Sequence, residues 1–169
     1  VRIWFDTEFL EDGKTIELIS IGMIREDGQT LYRETCSAVD LCAKSDWLKK
    51  NVMPHLKLKP SLRETIAKDV RDFAGFRPEF WAYYADYDWV VLCQLFGRMI
   101  DLPDTWPMYC RDVKQLCDTY VGLQLPEQKT EHDALADAIW AKHAWEFLQG
   151  HERSKRIERG EFRPPGAHA

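Results

Sequence analysis

Apolar and polar positions divide this chain into an opening run of strands, followed by helices that alternate with strands. Residues 1–10 read as a short strand built on Ile3, Trp4 and Phe5 that ends in Asp6, Glu8, Phe9 and Leu10. Residues 11–14 are a turn by composition. Residues 16–24 read as a largely buried strand, and Asp27 with Gly28 gives a hairpin signal before a third strand over 30–36. An antiparallel meander is the simplest arrangement of these three.

The next stretch predicts a short helix over 45–51, stopping before Pro54, and then a basic loop over 56–60. Ser61 and Glu64 have the spacing of a capping box, with Ser61 as the cap. The helix they open carries Leu62, Ile66, Val70 and Phe73 on one side and ends at Gly75. The aromatic-rich residues 78–85 predict a fourth strand. Residues 89–96 are apolar almost all round and predict a buried helix. Residues 107–110 make a short fifth strand, and Asp112 caps a helix running through Val113, Leu116 and Tyr120 to Gly122. Residues 132–148 are the clearest helix, alanine-rich and ended at Gly150. Residues 151–169 mix charges with prolines and show no apolar period, so a flexible tail is expected there, after one domain over 1–150. The order of elements predicts an α/β fold, a mixed five-stranded sheet with helices on both faces.

Composition adds limits. A chain of 169 residues, 45% hydrophobic and 30% charged, has the size and make-up of one globular domain. No apolar run reaches the length of a membrane span, and a strand beginning at the first residues leaves no room for a signal peptide. Five cysteines without metal-type spacing read as reduced thiols of a cytoplasmic protein. A net charge of −5 argues against broad, non-specific nucleic-acid binding, but not against an enzyme that grips phosphates through metal ions. Seven tryptophans are many for this length and would serve the core, an interface or base stacking.

The candidate chemistry lies in acids at element boundaries. Asp6 and Glu8 are two apart on a strand and share a face. Adjacent carboxylates repel and resist desolvation, and a hard divalent cation with oxygen ligands is the simplest partner to hold them together. An exposed strand end would also carry them. Asp86 and Asp88 follow the fourth strand, and His132, Asp133 and Asp137 stand at the start of the last helix. Five helical residues turn about 140°, so His132 meets Asp137 only from the loop entering the helix. Asp133 reads as an ordinary acid of a first helical turn.

Taken together, these residues resemble the DEDDh exonucleases, the ribonuclease-H-like 3′→5′ exonucleases. Asp6, Thr7 and Glu8 followed by Phe9 look like the first motif of that family. His132, four residues and Asp137, with small residues between, look like the third. Tyr87, Asp88, Val91 and Leu92 fit the second, with Asp86 as the alternative acid; the usual His-Asn before it is replaced by Tyr83 and Tyr84. Within the family the likeness is nearest to the actinobacterial polyadenylate-specific exoribonucleases, through residues 4–9 and the strand from Phe80 to Tyr84. The resemblance implies a ribonuclease-H-like fold, two Mg²⁺ ions (Mn²⁺ substituting), a homodimer, and single-stranded RNA 3′ ends rich in adenylate as substrate. It further implies Asp6, Glu8, Asp88 and Asp137 as metal ligands and His132 as general base, with Phe9 as a wedge or stacking platform if it is not core. Two other classes stay open: a DNA 3′→5′ exonuclease with the same site, and a non-catalytic RNA-binding module. A complete acidic set weighs against the second. A zinc enzyme would need cysteine or histidine ligands that the pattern does not supply.

Overall fold

Six strands form one mixed sheet: β1 (Arg2–Glu11), β2 (Ile16–Arg25), β3 (Thr30–Thr35), β4 (Pro60–Ser61), β5 (Glu79–Ala82) and β6 (Arg111–Asp112), in the spatial order β4-β3-β2-β1-β5-β6. This computed structural model describes residues 1–120 and 122–159. β1, β2 and β3 are the expected antiparallel meander; β5 runs parallel to β1, β6 to β5, and β4 to β3. The expected count was five. The sixth strand, β4, lies at the edge, where Pro60 and Ser61 pair with Glu34 and Thr35. Two residues carry no readable period, and an edge tolerates a proline because no neighbour needs its missing N–H. β5 is shorter than 78–85, and β6 falls just after 107–110. Pairing of Trp81 with Arg111 and Ala82 with Asp112 sets both bounds.

Six α-helices cover the sheet among the described residues: α1 (Ala38–Ala43), α2 (Asp46–Asn51), α3 (Arg63–Ala74), α4 (Ala85–Phe96), α5 (Val113–Asp118) and α6 (Ala134–Glu158). Ser45 caps α2 by accepting from the Leu48 N–H, and Asp112 caps α5 as expected. The cap of α3 differs. Ser61 is taken up by β4, the capping position passes to Leu62, and Leu62 is 64% exposed instead of joining the buried Ile66 and Val70. The last helix also departs from expectation, since α6 passes through Gly150 and continues to Glu158. A glycine inside a helix costs only about 1 kcal/mol. Here the tertiary structure holds the next turn, where the Tyr120 hydroxyl donates to Glu152 and its ring lies edge-on to His151. The remainder of the expected tail, 160–169, lies outside the described residues.

Period-two alternation sorts β1 onto two faces. Ile3 and Phe5 join Ile21, Met23, Leu31 and Phe80 in a core closed by Ile66 and Val70 of α3 and Val91 and Leu92 of α4. Trp4 and Ile24 face the other way, onto Ala138, Ala141, Ala144 and Leu148 of α6 and Val113 of α5. α1 and α2 pack Leu41, Cys42 and Leu48 against Ile19. Small residues along α6 let its backbone lie near the sheet, nearest of all at Gly22. A Cβ there would fall inside the main chain of Ala134 and Leu135. Gly22 is the cross-strand partner of Asp6, so the close approach occurs beside the first acid. Most tryptophans serve this packing: Trp4, Trp81 and Trp145 meet edge to face on the α6 side, and Trp89 and Trp106 flank Phe80 on the other.

The obstacle a Gly22→Ala side chain meets is backbone, which cannot swing aside. The substitution is expected to destabilise the fold by roughly 1–3 kcal/mol, read as a lower midpoint in thermal or denaturant unfolding.

Candidate active site

β5 pairs with β1 only from Arg2 to Trp4. Beyond that point the two strands part, and the main chain of β1 would be left without hydrogen-bond partners on that side. Asp88, in the first turn of α4, fills the gap: its Oδ1 accepts from the Thr7 N–H at 2.8 Å and from the Thr7 hydroxyl at 2.6 Å. The side chain is 5% exposed, whereas Asp86 points to solvent. The geometry therefore brings Asp88, not Asp86, beside Asp6 and Glu8.

The start of α4 is itself held from a distance. Tyr84, the residue before the helix, has a left-handed backbone (φ 59°). The Asp112 carboxylate accepts from the N–H groups of Tyr84 and Ala85 at 3.3 and 3.2 Å, and from those of Lys114 and Gln115 in α5. One carboxylate thus caps two helices, and it anchors the turn from which Asp88 projects.

The third contribution comes from the loop before α6. His132 lies outside the helix with φ 66°, the condition under which it can meet Asp137. Its N–H donates to Asp137 Oδ2 at 2.8 Å, while Gln128 Nε2 donates to Oδ1 at 2.6 Å. Asp133 is the helix cap, accepting from the N–H groups of Leu135 and Ala136, and it is paired with Lys57 at 2.6 Å. Lys57 is thereby tied to the fold instead of standing as a free basic residue.

Asp6, Glu8, Phe9, Asp88, His132 and Asp137 all line one cleft of about 370 Å³. A second recess of about 230 Å³ opens from Asp6 and Asp137 past Gln128 and Trp140. Ligand atoms of Glu8, His132 and Asp137 lie within 4.8 Å of one another, near enough to share one metal ion. Phe9 does two things at once: it packs on the core and faces the cleft, its ring 5.7 Å from that of Tyr87. Sequence reasoning missed Trp47, which is 52% exposed on α2 and stands edge-on to the His132 imidazole at 4.6 Å. It also missed Gln128, which sits in a loop without a pattern. Tyr83 and Tyr84, which stand where the family has His-Asn, border the cleft as well.

The electrostatics are those of crowded, desolvated acids. Burial first, then the charges of Asp88, Glu8 and Asp137, hold the Asp6 carboxyl well above its usual range. Burial and then Asp137 and Asp88 push Glu8 up to about 8. Burial raises Asp88 to about 6 against the two Thr7 hydrogen bonds, and raises Asp137 to about 6 against those from His132 and Gln128. Asp133 contrasts with these: burial would raise it, but Lys57 and the helix N–H groups more than offset that and lower it. The cluster thus favours protons or cations in the place where the charges meet. Hard oxygen ligands, largely enclosed, with Asp88 and Asp137 oriented by Thr7, His132 and Gln128, fit divalent cations such as Mg²⁺.

The mixed sheet with helices on both faces is a ribonuclease-H-like fold, one that solved exonuclease structures share. It is similar in structure to Escherichia coli exonuclease I in complex with a dT13 oligonucleotide, with a TM-score of 0.61 at 13% identity, covering 94% of this chain and 42% of that one. A zinc-bound form of the same exonuclease with single-stranded DNA gives 0.55. Residues 1–149 match the model of the 3'-5' exoribonuclease Rv2179c-like domain, and the chain belongs to that family. It is 38% identical over 147 residues to the 3'-5' exoribonuclease Rv2179c of Mycobacterium tuberculosis, covering 82% of this chain and 87% of the relative. The counterpart from a second strain of that species, 3'-5' exoribonuclease MT2234.1, matches equally.

Because the acid pKa values are raised by folding, the folded protein holds more protons than the unfolded chain from about pH 4 upward. In metal-free protein the cluster's contribution to stability is fully present below that value. It is lost as pH rises through about 6 for Asp88 and Asp137 and about 8 for Glu8. Relative to that of Glu8→Gln, the melting temperature of metal-free protein should therefore fall as pH rises towards about 8, the part of this window that belongs to Glu8. Parallel curves for the two proteins would contradict the shift.

Proposed function

We propose that the chain shortens single-stranded RNA from its 3′ end, releasing nucleoside 5′-monophosphates, with adenylate-rich ends as its substrate. The observation that carries this reading is the meeting of Asp6, Glu8, Asp88 and Asp137 with His132 in one cleft. Family membership supports RNA as the polymer attacked.

Asp6, Glu8, Asp88 and Asp137 would hold two divalent cations, Mg²⁺ or Mn²⁺. Such ions, when bound, polarise the scissile phosphate and stabilise the departing 3′-oxygen. The protein's own part is positioning and proton transfer. β1 fixes Asp6 and Glu8, and the Thr7 donors orient Asp88. The left-handed turn at His132 turns its N–H to Asp137 and leaves the imidazole facing the cleft. That imidazole takes a proton from the attacking water as general base. Trp47 holds the ring from one side. Phe9 borders the terminal base, and Trp47 and Tyr84 offer exposed faces beside it. Stacking is worth about 1–3 kcal/mol per base and favours the broad face of a purine.

The resemblance to polyadenylate-specific exoribonucleases also supports a homodimer, and five free thiols fit a reducing, cytoplasmic setting. None of the described helices is long and apolar enough to cross a membrane.

The direct test is 3′-end shortening of oligoadenylate with Mg²⁺ and with EDTA, beside oligocytidylate and oligodeoxyadenylate. Stepwise, metal-dependent release of AMP, fastest on oligoadenylate, is expected. Equal or faster loss of the deoxy strand would move the assignment to a DNA exonuclease, and no shortening of any strand would leave a binding module. His132→Ala should lower turnover by roughly 10²- to 10⁴-fold while Mg²⁺ binding, followed by calorimetry, persists.

A further inference from the structure

The cleft does not end at Phe9. Past the Phe9–Tyr87 ring pair, a groove of about 530 Å³ continues between the β1–β2 hairpin and the outer face of α4. Tyr87 lines both cavities, so the groove and the cleft meet across one side chain. Its volume lies within the about 300–1,000 Å³ of sites that hold a drug-sized molecule, the size of one or two nucleotides.

One wall is a helical stripe at i, i+3 and i+7: Tyr87, Val90 and Gln94. The first two are 55% and 45% exposed although they are apolar or aromatic. The other wall is the hairpin, with Lys14 and Ile16. Asp12 accepts from the N–H groups of Lys14 and Thr15, which fixes the turn and presents the lysine. Among the described residues Lys14 has no acidic partner. Arg63 of α3 donates to the Gln94 carbonyl at 3.2 Å and adds a second cation at the far end. At the β4 edge of the sheet two of the cations are already paired, Lys57 with Asp133 and Arg33 with Asp69.

An exonuclease that holds a 3′ terminus must also pass the rest of the strand over its surface. We propose that the groove between the β1–β2 hairpin and α4 is the track of the nucleotides 5′ to the reactive end. In this track a base stacks on Tyr87, and the following phosphates run along Lys14 towards Arg63. The inference rests on the 3′-exonuclease reading above. β1 runs from the acids towards the hairpin, so the strand leaves the acids in the direction of β1.

The test compares KM for oligoadenylates of two to ten nucleotides in wild type, Lys14→Glu, Val90→Glu and Lys59→Glu. Lys14 and Val90 are exposed enough to be changed without opening the core, and circular dichroism checks the fold. In wild type, KM should fall as the strand grows past two nucleotides and then level off. Lys14→Glu and Val90→Glu should abolish most of that advantage, raising KM for the long strands roughly tenfold relative to the dinucleotide. Lys14→Glu should also flatten the salt dependence of KM by about one phosphate contact. Lys59→Glu, beside the edge strand β4 and outside the groove, should leave the length dependence unchanged. An unaltered length dependence in both groove variants, or its loss in Lys59→Glu instead, would overturn the track. Failure of wild type to shorten any strand, the dinucleotide included, would overturn the exonuclease reading itself and be seen before any variant is compared.

Discussion

The site depends on how near α6 can come to the sheet. His132 and Asp137 belong to a segment more than a hundred residues from Asp6, and they reach it because Gly22 leaves room for the backbone of Ala134 and Leu135. The alanines below Asp137 continue the same contact along Trp4 and Ile24. Core packing and site assembly are therefore one problem here. The helix is seated by apolar burial, and its polar first turn is carried into place as a consequence.

That seating brings together charges that repel one another. Asp6, Glu8, Asp88 and Asp137 are each raised by burial above their ordinary range, and the hydrogen bonds from Thr7, His132 and Gln128 only partly counter the shift. The fold anchors the four acids to three elements: two to a central strand, one to the start of α4 and one to the start of α6. Apolar packing on both faces of β1 opposes their repulsion, which is how a functional cluster can be locally unfavourable within a stable domain.

Much of this was legible from the residues. The meander, the buried α4 and the alanine-rich α6 follow from period and turn chemistry, and the acids of the cleft from motif spacing. What escaped were features set by partners distant in the chain. Ser61 has the pattern of a cap, yet strand pairing with Thr35 claims it. Gly150 has the pattern of a stop, yet Tyr120 and Glu152 hold the helix beyond it. Trp47 is one of seven tryptophans, and nothing local marks it as the one beside His132. The preference for Asp88 over Asp86 was readable from the motif, but its physical reason, the unpaired edge of β1 that Asp88 fills at Thr7, appears only in the three-dimensional pairing.

Asp112 gives the molecule a property of another kind. By accepting from Tyr84 and Ala85 as well as from Lys114 and Gln115, it fastens the end of β6 to the beginning of α4. The chain between α4 and β6, residues 97–110, is thus a closed loop whose two anchor points are stitched to each other. Changes of length among its exposed residues, away from the buried Leu102 and Trp106, leave those anchor points and Asp88 where they are. It is the part of the domain where an insertion, natural or engineered, could accumulate while the chemistry stays where it is.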